Sequence, residues 1–191
     1  MARVSAVQRR RELTDAAVAL ILEEGPHAVT ARKIAERAGA SLASVHYSFR
    51  DMDELMHAAN IEVLDRASRT LVGGVRTDGG VRVLIEELLH WFWRYLRTSD
   101  DEALAFFETV IALMRPHRAA GAWDTFQQLL VELMSEAQQH EPRPSRTPLP
   151  QLALLLIMAV DGLALFHLAC RDDTRTAQEL NLLIEALQHL V

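Results

Sequence analysis

TARKIAERAGASLASVHYSF, residues 30–49, is the stretch on which the fold turns. Thr30 precedes a short run that places Ile34 and Ala35 together, Ala38-Gly39-Ala40 interrupts it, and Ser41 starts another that carries His46, Tyr47 and Phe49. Thr and Ser side chains accept hydrogen bonds from the free N–H groups of a helix start. Gly supplies the left-handed backbone that ends one helix and leads into the next. The spacing therefore predicts a helix from Thr30 through Ala38 and a second from Ser41 to about Ser48. Joined by so tight a turn, the pair forms a helix-turn-helix, whose second helix enters the major groove of DNA. Val45 and Phe49 fall on the inner side of that helix. Leu42, Ala43, Ser44, His46 and Tyr47 fall on the outer side, small at the N-terminal end so that the backbone can approach a duplex, with polar and aromatic tips beyond.

The flanking sequence supports this unit. Val7, Leu13, Ala16, Ala17, Leu20 and Ile21 recur at helical spacing, predicting a first helix over about 8–24 that stops at Gly25-Pro26. Asp51 and Glu54 have the spacing of a capping box and open a longer helix bearing Leu55, Met56, Ala59, Ile61 and Leu64. Charge follows the same division. The chain of 191 residues has a formal net charge of −6, which by itself argues against a nucleic-acid partner. Residues 1–50, however, hold eight basic residues (Arg3, Arg9, Arg10, Arg11, Arg32, Lys33, Arg37, Arg50) against five acids, a net of +3, and the remaining 141 carry −9. A basic head on an acidic body is the expected footprint of phosphate contact at one end.

With Gly25 closing the first helix, the run TARKIAERAGAS, then VHYSF, then DELM (53–56) resembles the DNA-binding domain of the tetracycline-repressor (TetR) family. The usual run of that family is T-x-x-x-I-A-x-x-A-G-x-S, an aromatic pair, F and a short spacer to K-x-x-L. The resemblance covers about residues 8–60. It implies an all-α homodimer that regulates transcription, most simply a repressor of a palindromic operator released by a small apolar or aromatic ligand. It assigns DNA contact to Thr30, Arg32, Lys33, Ser41, Leu42, Ala43, Ser44, His46, Tyr47 and Arg50. Two positions depart from the pattern: Met52 stands where a phosphate-contacting Lys is usual, and His46 where Tyr is commonest. Without a charge at 52, phosphate affinity leans on Arg50, Lys33, Arg32 and the N-terminal arginines.

Beyond residue 70 the sequence reads as further helices. VGGVRTDGG (72–80) ends the long fourth helix in a hinge or loop. A helix over 81–97 carries HWFWRYL, in which Trp91, Phe92 and Trp93 span roughly 200° at about 100° per residue, wider than one buried stripe. EALAFFETVIALM and AAGAWDTFQQLLVELMSEA follow, and HEPRPSRTPLP (140–150) holds four of the six prolines and is a loop. Any one of these rings and methionines taken alone reads first as ordinary core. Together they suggest an apolar effector pocket drawn from His90, Trp91, Tyr95, Phe107, Met114, His117, Trp123, Phe126 and Asp161, with Arg118 as a further polar group. Residues 152–170, LALLLIMAVDGLALFHLAC, approach the length of a membrane span. Asp161, Gly162 and His167 inside the run and the absence of a basic flank argue instead for a helix buried on all sides. With a last helix whose apolar face holds Leu180, Leu183, Ile184, Leu187 and Val191, it predicts a four-helix dimer interface with a second copy.

The domain organisation expected is a helix-turn-helix domain at 1–50 with a linking helix at 51–70, then a helical effector-binding and dimerisation domain at 71–191. One cysteine, Cys170, and no apolar run of signal-peptide type point to the cytoplasm. Two other classes compete with this reading. Glu54/His57 and Glu87/His90 are Glu-x-x-His pairs of the kind used by di-iron carboxylate bundles, but Glu54 is already the third residue of a capping box, and two more carboxylates would have to converge. A helical adaptor without DNA binding has Met52 as its one hint. No nucleophile signature or phosphate loop is present, so neither a catalytic residue, a metal nor a cofactor is expected.

Overall fold

The computed structural model describes residues 5–97, 100–114 and 120–191, with side chains for all of these except 100–102, 112–114 and 120–123. Among the described residues the regular structure is helical: α1 (Ala6–Glu24), a 3-10 turn (Pro26–Ala28), α2 (Ala31–Arg37), α3 (Leu42–Ser48), α4 (Met52–Gly74), α5 (Gly80–Leu96), α6 (Asp100–Met114), α7 (Ala120–Gln138), α8 (Leu149–Cys170) and α9 (Asp173–Gln188). They form two compact units. One is Met1–Ala67 with Asp101–Ala120, the other Ser68–Asp100 with Gly121–Val191.

In the first unit each helix starts and stops where the sequence supplies a cap. The Ser5 hydroxyl accepts from Gln8 N–H at 3.1 Å, which starts α1 one turn before Arg9. Gly25, at φ 80°, closes α1 through its N–H to Ile21 O at 2.9 Å, a backbone conformation that a side chain would strain. Thr30 accepts from Lys33 N–H and Ser41 from Ser44 N–H, and Gly39 at φ 58° makes the turn between α2 and α3. The Asp51 cap is also present, accepting from Glu54 N–H at 2.8 Å. Glu54 also reaches back to the residue before the cap: its Oε2 accepts from Arg50 N–H at 2.8 Å, while its Oε1 is held by Arg10. Leu13, Ala17 and Ile21 of α1, Ile34 of α2, Val45 of α3, Phe49, and Leu55 and Ala59 of α4 form one core. Met52 is half-buried against it, so this position serves packing. Phe106 of α6 packs on the same core, making the unit discontinuous in sequence.

The second unit is built on α5, α7, α8 and α9. Val81, Leu84, Ile85, Leu88 and Leu89 meet Leu130, Met134 and Ala137, Leu152, Ala153 and Leu156, and Leu180, Ile184 and Leu187. α5 has no capping side chain of its own; Glu141 from the proline-rich loop accepts from Val81 N–H at 2.7 Å and sets a negative charge at the helix start. That loop is tied to the chain end by Thr147 N–H to Leu190 O at 3.1 Å and Arg146 N–H to Val191 O at 3.3 Å. α8, with mean hydropathy 2.2 over its most apolar window, is long and apolar enough to cross a membrane by length and composition. It is not buried on all sides. Leu152, Ala153, Leu156, Leu163, Ala164 and His167 are covered, while Leu154, Leu155, Met158 and Leu165 are exposed.

Candidate nucleic-acid interface

The candidate surface is formed by α3, about two amphipathic turns. Val45 and the following Phe49 are buried and anchor it; Leu42, Ala43, His46 and Tyr47 are exposed, and Ser44 is half-buried. Tyr47, at 87 % exposure, stands almost clear of the protein. An aromatic ring so exposed contributes little to folding and is available for a groove. Ser41 and Ser44 share a hydroxyl contact at 2.9 Å at the helix start, beside exposed Leu42.

The basic residues divide into committed and uncommitted groups. Lys33 Nζ lies 2.6 Å from Glu24 Oε2, and Arg37 makes a two-pronged pair with Glu23 at 2.8 and 2.5 Å. The hydrogen bond from Arg37 lowers the Glu23 carboxyl below its ordinary range. Arg50 pairs with Asp51 at 2.8 Å, and Arg9 with Glu12 at 2.9 Å. Arg32 and Arg11 are exposed and make no ion pair with a described residue. Among the described cations of α2, Arg32 is therefore the one without an ion pair, whereas Lys33 is held by Glu24. Sequence spacing gave no sign of these pairings, since Glu23 and Glu24 lie on a different helix.

The effector candidates are placed as follows. Phe107, in the first unit, is buried on α6. His90, Trp91, Tyr95, Phe126 and Asp161, in the second, are all half-buried. Trp91 and Tyr95 come together as parallel stacked rings 5.7 Å apart, and the Trp91 indole also lies close to Gly74, where a Cβ would come within 2.8 Å of its Cδ1 and Nε1. The side chains of Met114 and Trp123, and residues His117 and Arg118, lie outside the described residues. His167, on α8, is buried, with Nδ1 3.1 Å from Thr176 Oγ1 and Trp93 edge-on at 4.9 Å. The Thr176 hydroxyl donates its proton to Asp172 O at 2.8 Å, so the imidazole donates from Nδ1. Glu54 and Glu87, the acids of the two Glu-x-x-His pairs, are both engaged by backbone N–H groups, Glu87 by Arg76 at 2.7 Å.

Asp161 makes no hydrogen bond or ion pair with a described residue, and burial pushes its carboxyl from 3.8 up to about 6. A raised acid pKa means the folded state holds the proton longer than the unfolded one. Its stabilising contribution is full below about pH 4 and is lost as pH rises through 6. A shift of this size is worth about 3 kcal/mol for a fully shielded group; screening at a half-buried site reduces that to about 1–2 kcal/mol. Asp161→Asn should therefore leave the melting temperature unchanged near pH 4 and raise it at pH 7 and above. Parallel melting curves for the two proteins across that window would remove the burial cost assigned to this carboxylate.

Residues 13–59 match the profile described as bacterial regulatory proteins, tetR family. The nicotine-responsive transcriptional repressor HdnoR of Paenarthrobacter nicotinovorans is 31 % identical over 188 residues, covering 96 % of each chain. The chain belongs to the TetR family. It is a DNA-binding, ligand-responsive regulator of transcription and not an enzyme. Solved structures share the fold: the multidrug-binding protein EbrR complexed with proflavin has a TM-score of 0.72 at 21 % identity, covering 96 % of this chain and 99 % of that one. FadR from Bacillus subtilis in complex with stearoyl-CoA has a TM-score of 0.68 at 14 % identity, covering 95 % and 98 %. Family membership does not favour the di-iron reading of Glu54 and Glu87 or the adaptor reading of Met52.

Proposed function

We propose that this TetR-family chain is a cytoplasmic repressor, dimeric through α8 and α9, that reads a palindromic operator with α3 and is released by a small aromatic molecule. The observation that carries the reading is the α3 surface itself: a capped helix buried on Val45 and presenting Tyr47, His46, Ala43 and Leu42 outward. Thr30, Arg32, Lys33, Ser41, Ser44 and Arg50 supply its backbone contacts, Lys33 by exchanging Glu24 for phosphate. In domain terms, residues 1–50 with the 51–70 helix read DNA, and residues 71–191 bind effector and join the subunits. The HdnoR and EbrR names, which speak of nicotine and of proflavin, support a nitrogenous aromatic effector. Within the second unit the Trp91 and Tyr95 pair and Phe126 offer rings for it, with His90 and Asp161 as polar groups.

A footprint on the DNA around its own coding region, at two salt concentrations, tests this. The expected result is a protected inverted repeat with half-site centres about 34–36 Å or a multiple apart, and affinity that falls steeply with salt. Nicotine, added as a first probe, should loosen the complex if the effector is of that class. Absence of any protected sequence would refute the repressor reading.

A further inference from the structure

Arg10 looks in the sequence like one of three N-terminal arginines for the DNA backbone, but its side chain is turned inward. Nη1 donates to Ser48 O at 2.7 Å, Nη2 lies 2.8 Å from Glu54 Oε1, and the guanidinium sits 4.1 Å above the Phe49 ring. Each partner belongs to a junction. Ser48 is the last residue of α3, and its carbonyl has no partner within that helix. Phe49 is the buried ring that ends α3, and Glu54 lies in the first turn of α4 and also holds Arg50 N–H. One planar group on α1 thus joins the end of the recognition helix to the start of the next. A shallow dent of about 200 Å3, lined by Ala6, Val7, Arg10, Tyr47 and Ser48, places this clamp beside the exposed tyrosine.

We propose that Arg10 is a positioning residue for DNA reading: by holding Ser48 O, Phe49 and Glu54 at once it fixes the angle of α3 against α4, and with it the stance of Tyr47 and His46. The proposal rests on α3 being the recognition helix. It differs in kind from a phosphate contact. Losing a phosphate contact weakens binding to all sequences alike and reduces the salt slope by about 0.9. A positioning residue leaves the slope and the binding of random DNA unchanged and lowers the preference for operator. The two roles also separate at lysine, which keeps the charge but is a point charge on a flexible stem and cannot bridge two acceptors while stacking on a ring.

The experiment measures operator and random-sequence affinity at several salt concentrations for wild type, Arg10→Gln, Arg10→Lys, Glu54→Gln and the Arg10→Gln/Glu54→Gln double variant. All are assayed well below their melting temperatures. Glu54→Gln keeps an oxygen for Arg50 N–H and removes the charge that Arg10 grips. The expected result is an operator preference lowered about tenfold in all three single variants, a double variant no worse than either, and an unchanged salt slope, as for two groups acting as one unit. A lysine variant with wild-type preference, together with a flattened slope in Arg10→Gln, would overturn the clamp in favour of phosphate contact. Lowered melting temperatures with wild-type preference throughout would overturn it in favour of a purely structural bond. Failure of the wild type to select any operator would count against the regulator reading and not against the clamp.

Discussion

A chain carrying Tyr47→Ala and Arg32→Ala should lose operator affinity by about a hundredfold or more while remaining a folded dimer. A well-placed base contact is worth about 1–3 kcal/mol, and a phosphate contact both adds affinity and carries about one unit of salt slope. The two residues stand on different helices, α3 and α2, so their losses should nearly add. Neither change reaches the core: Tyr47 is 87 % exposed, and Arg32 is exposed with no ion pair among the described residues. The appropriate contrast is Arg37→Ala. Arg37 is already bound at both prongs by Glu23, so its removal frees a carboxylate near the surface and costs much less specific affinity. Gel-shift titration at two salt concentrations, with sedimentation for the dimer, separates these outcomes. Wild-type affinity in the double variant would place the reading face elsewhere.

The head was legible because its information is local. Caps at Thr30 and Ser41, the left-handed Gly39, and the inward positions Ile34, Val45 and Phe49 are fixed by spacing over a few residues. What spacing could not show are the bonds that cross between helices. Lys33, expected to be a phosphate ligand, is found on Glu24, and Arg10 on Ser48 and Glu54, 38 and 44 residues away. A row of arginines at a helix start looks the same in sequence whether its members face solvent, a duplex or a carboxylate. The effector region was less legible for a related reason. Aromatic residues at helical spacing serve core and cavity alike, and Trp91 turns out to be stacked on Tyr95 and seated on Gly74. α8 shows a limit of composition: nineteen nearly apolar residues looked like a helix covered all round, yet the composition is uniform while the packing is one-sided.

That one-sidedness leads to the second large effect, the expected loss of the dimer on Met158→Glu. Along α8 the uncovered positions Leu155, Met158, Gly162 and Leu165 are spaced by 3, 4 and 3 residues, a seam that faces one direction, with Leu154 beside it and Leu182 exposed on α9. Met158 is 60 % and Leu165 52 % exposed. A soluble chain rarely leaves so continuous an apolar strip in water unless another surface covers it. Gly162 interrupts the strip with open space about it, which would let a second helix backbone approach. In a two-fold dimer every substitution occurs twice. Two glutamates brought into that seam have no cationic partner on the strip itself and cost several kcal/mol as buried unpaired charges, enough to weaken association by about a thousandfold or more. Operator affinity should fall with it, because two reading heads act as one ligand only while they are joined. Leu104→Glu, on an exposed position of α6 outside the seam, should leave both the dimer and operator affinity near wild type. A Met158→Glu chain that sediments as a dimer and holds its operator would put the subunit contact on another face, and the apolar strip of α8 would then need a different occupant.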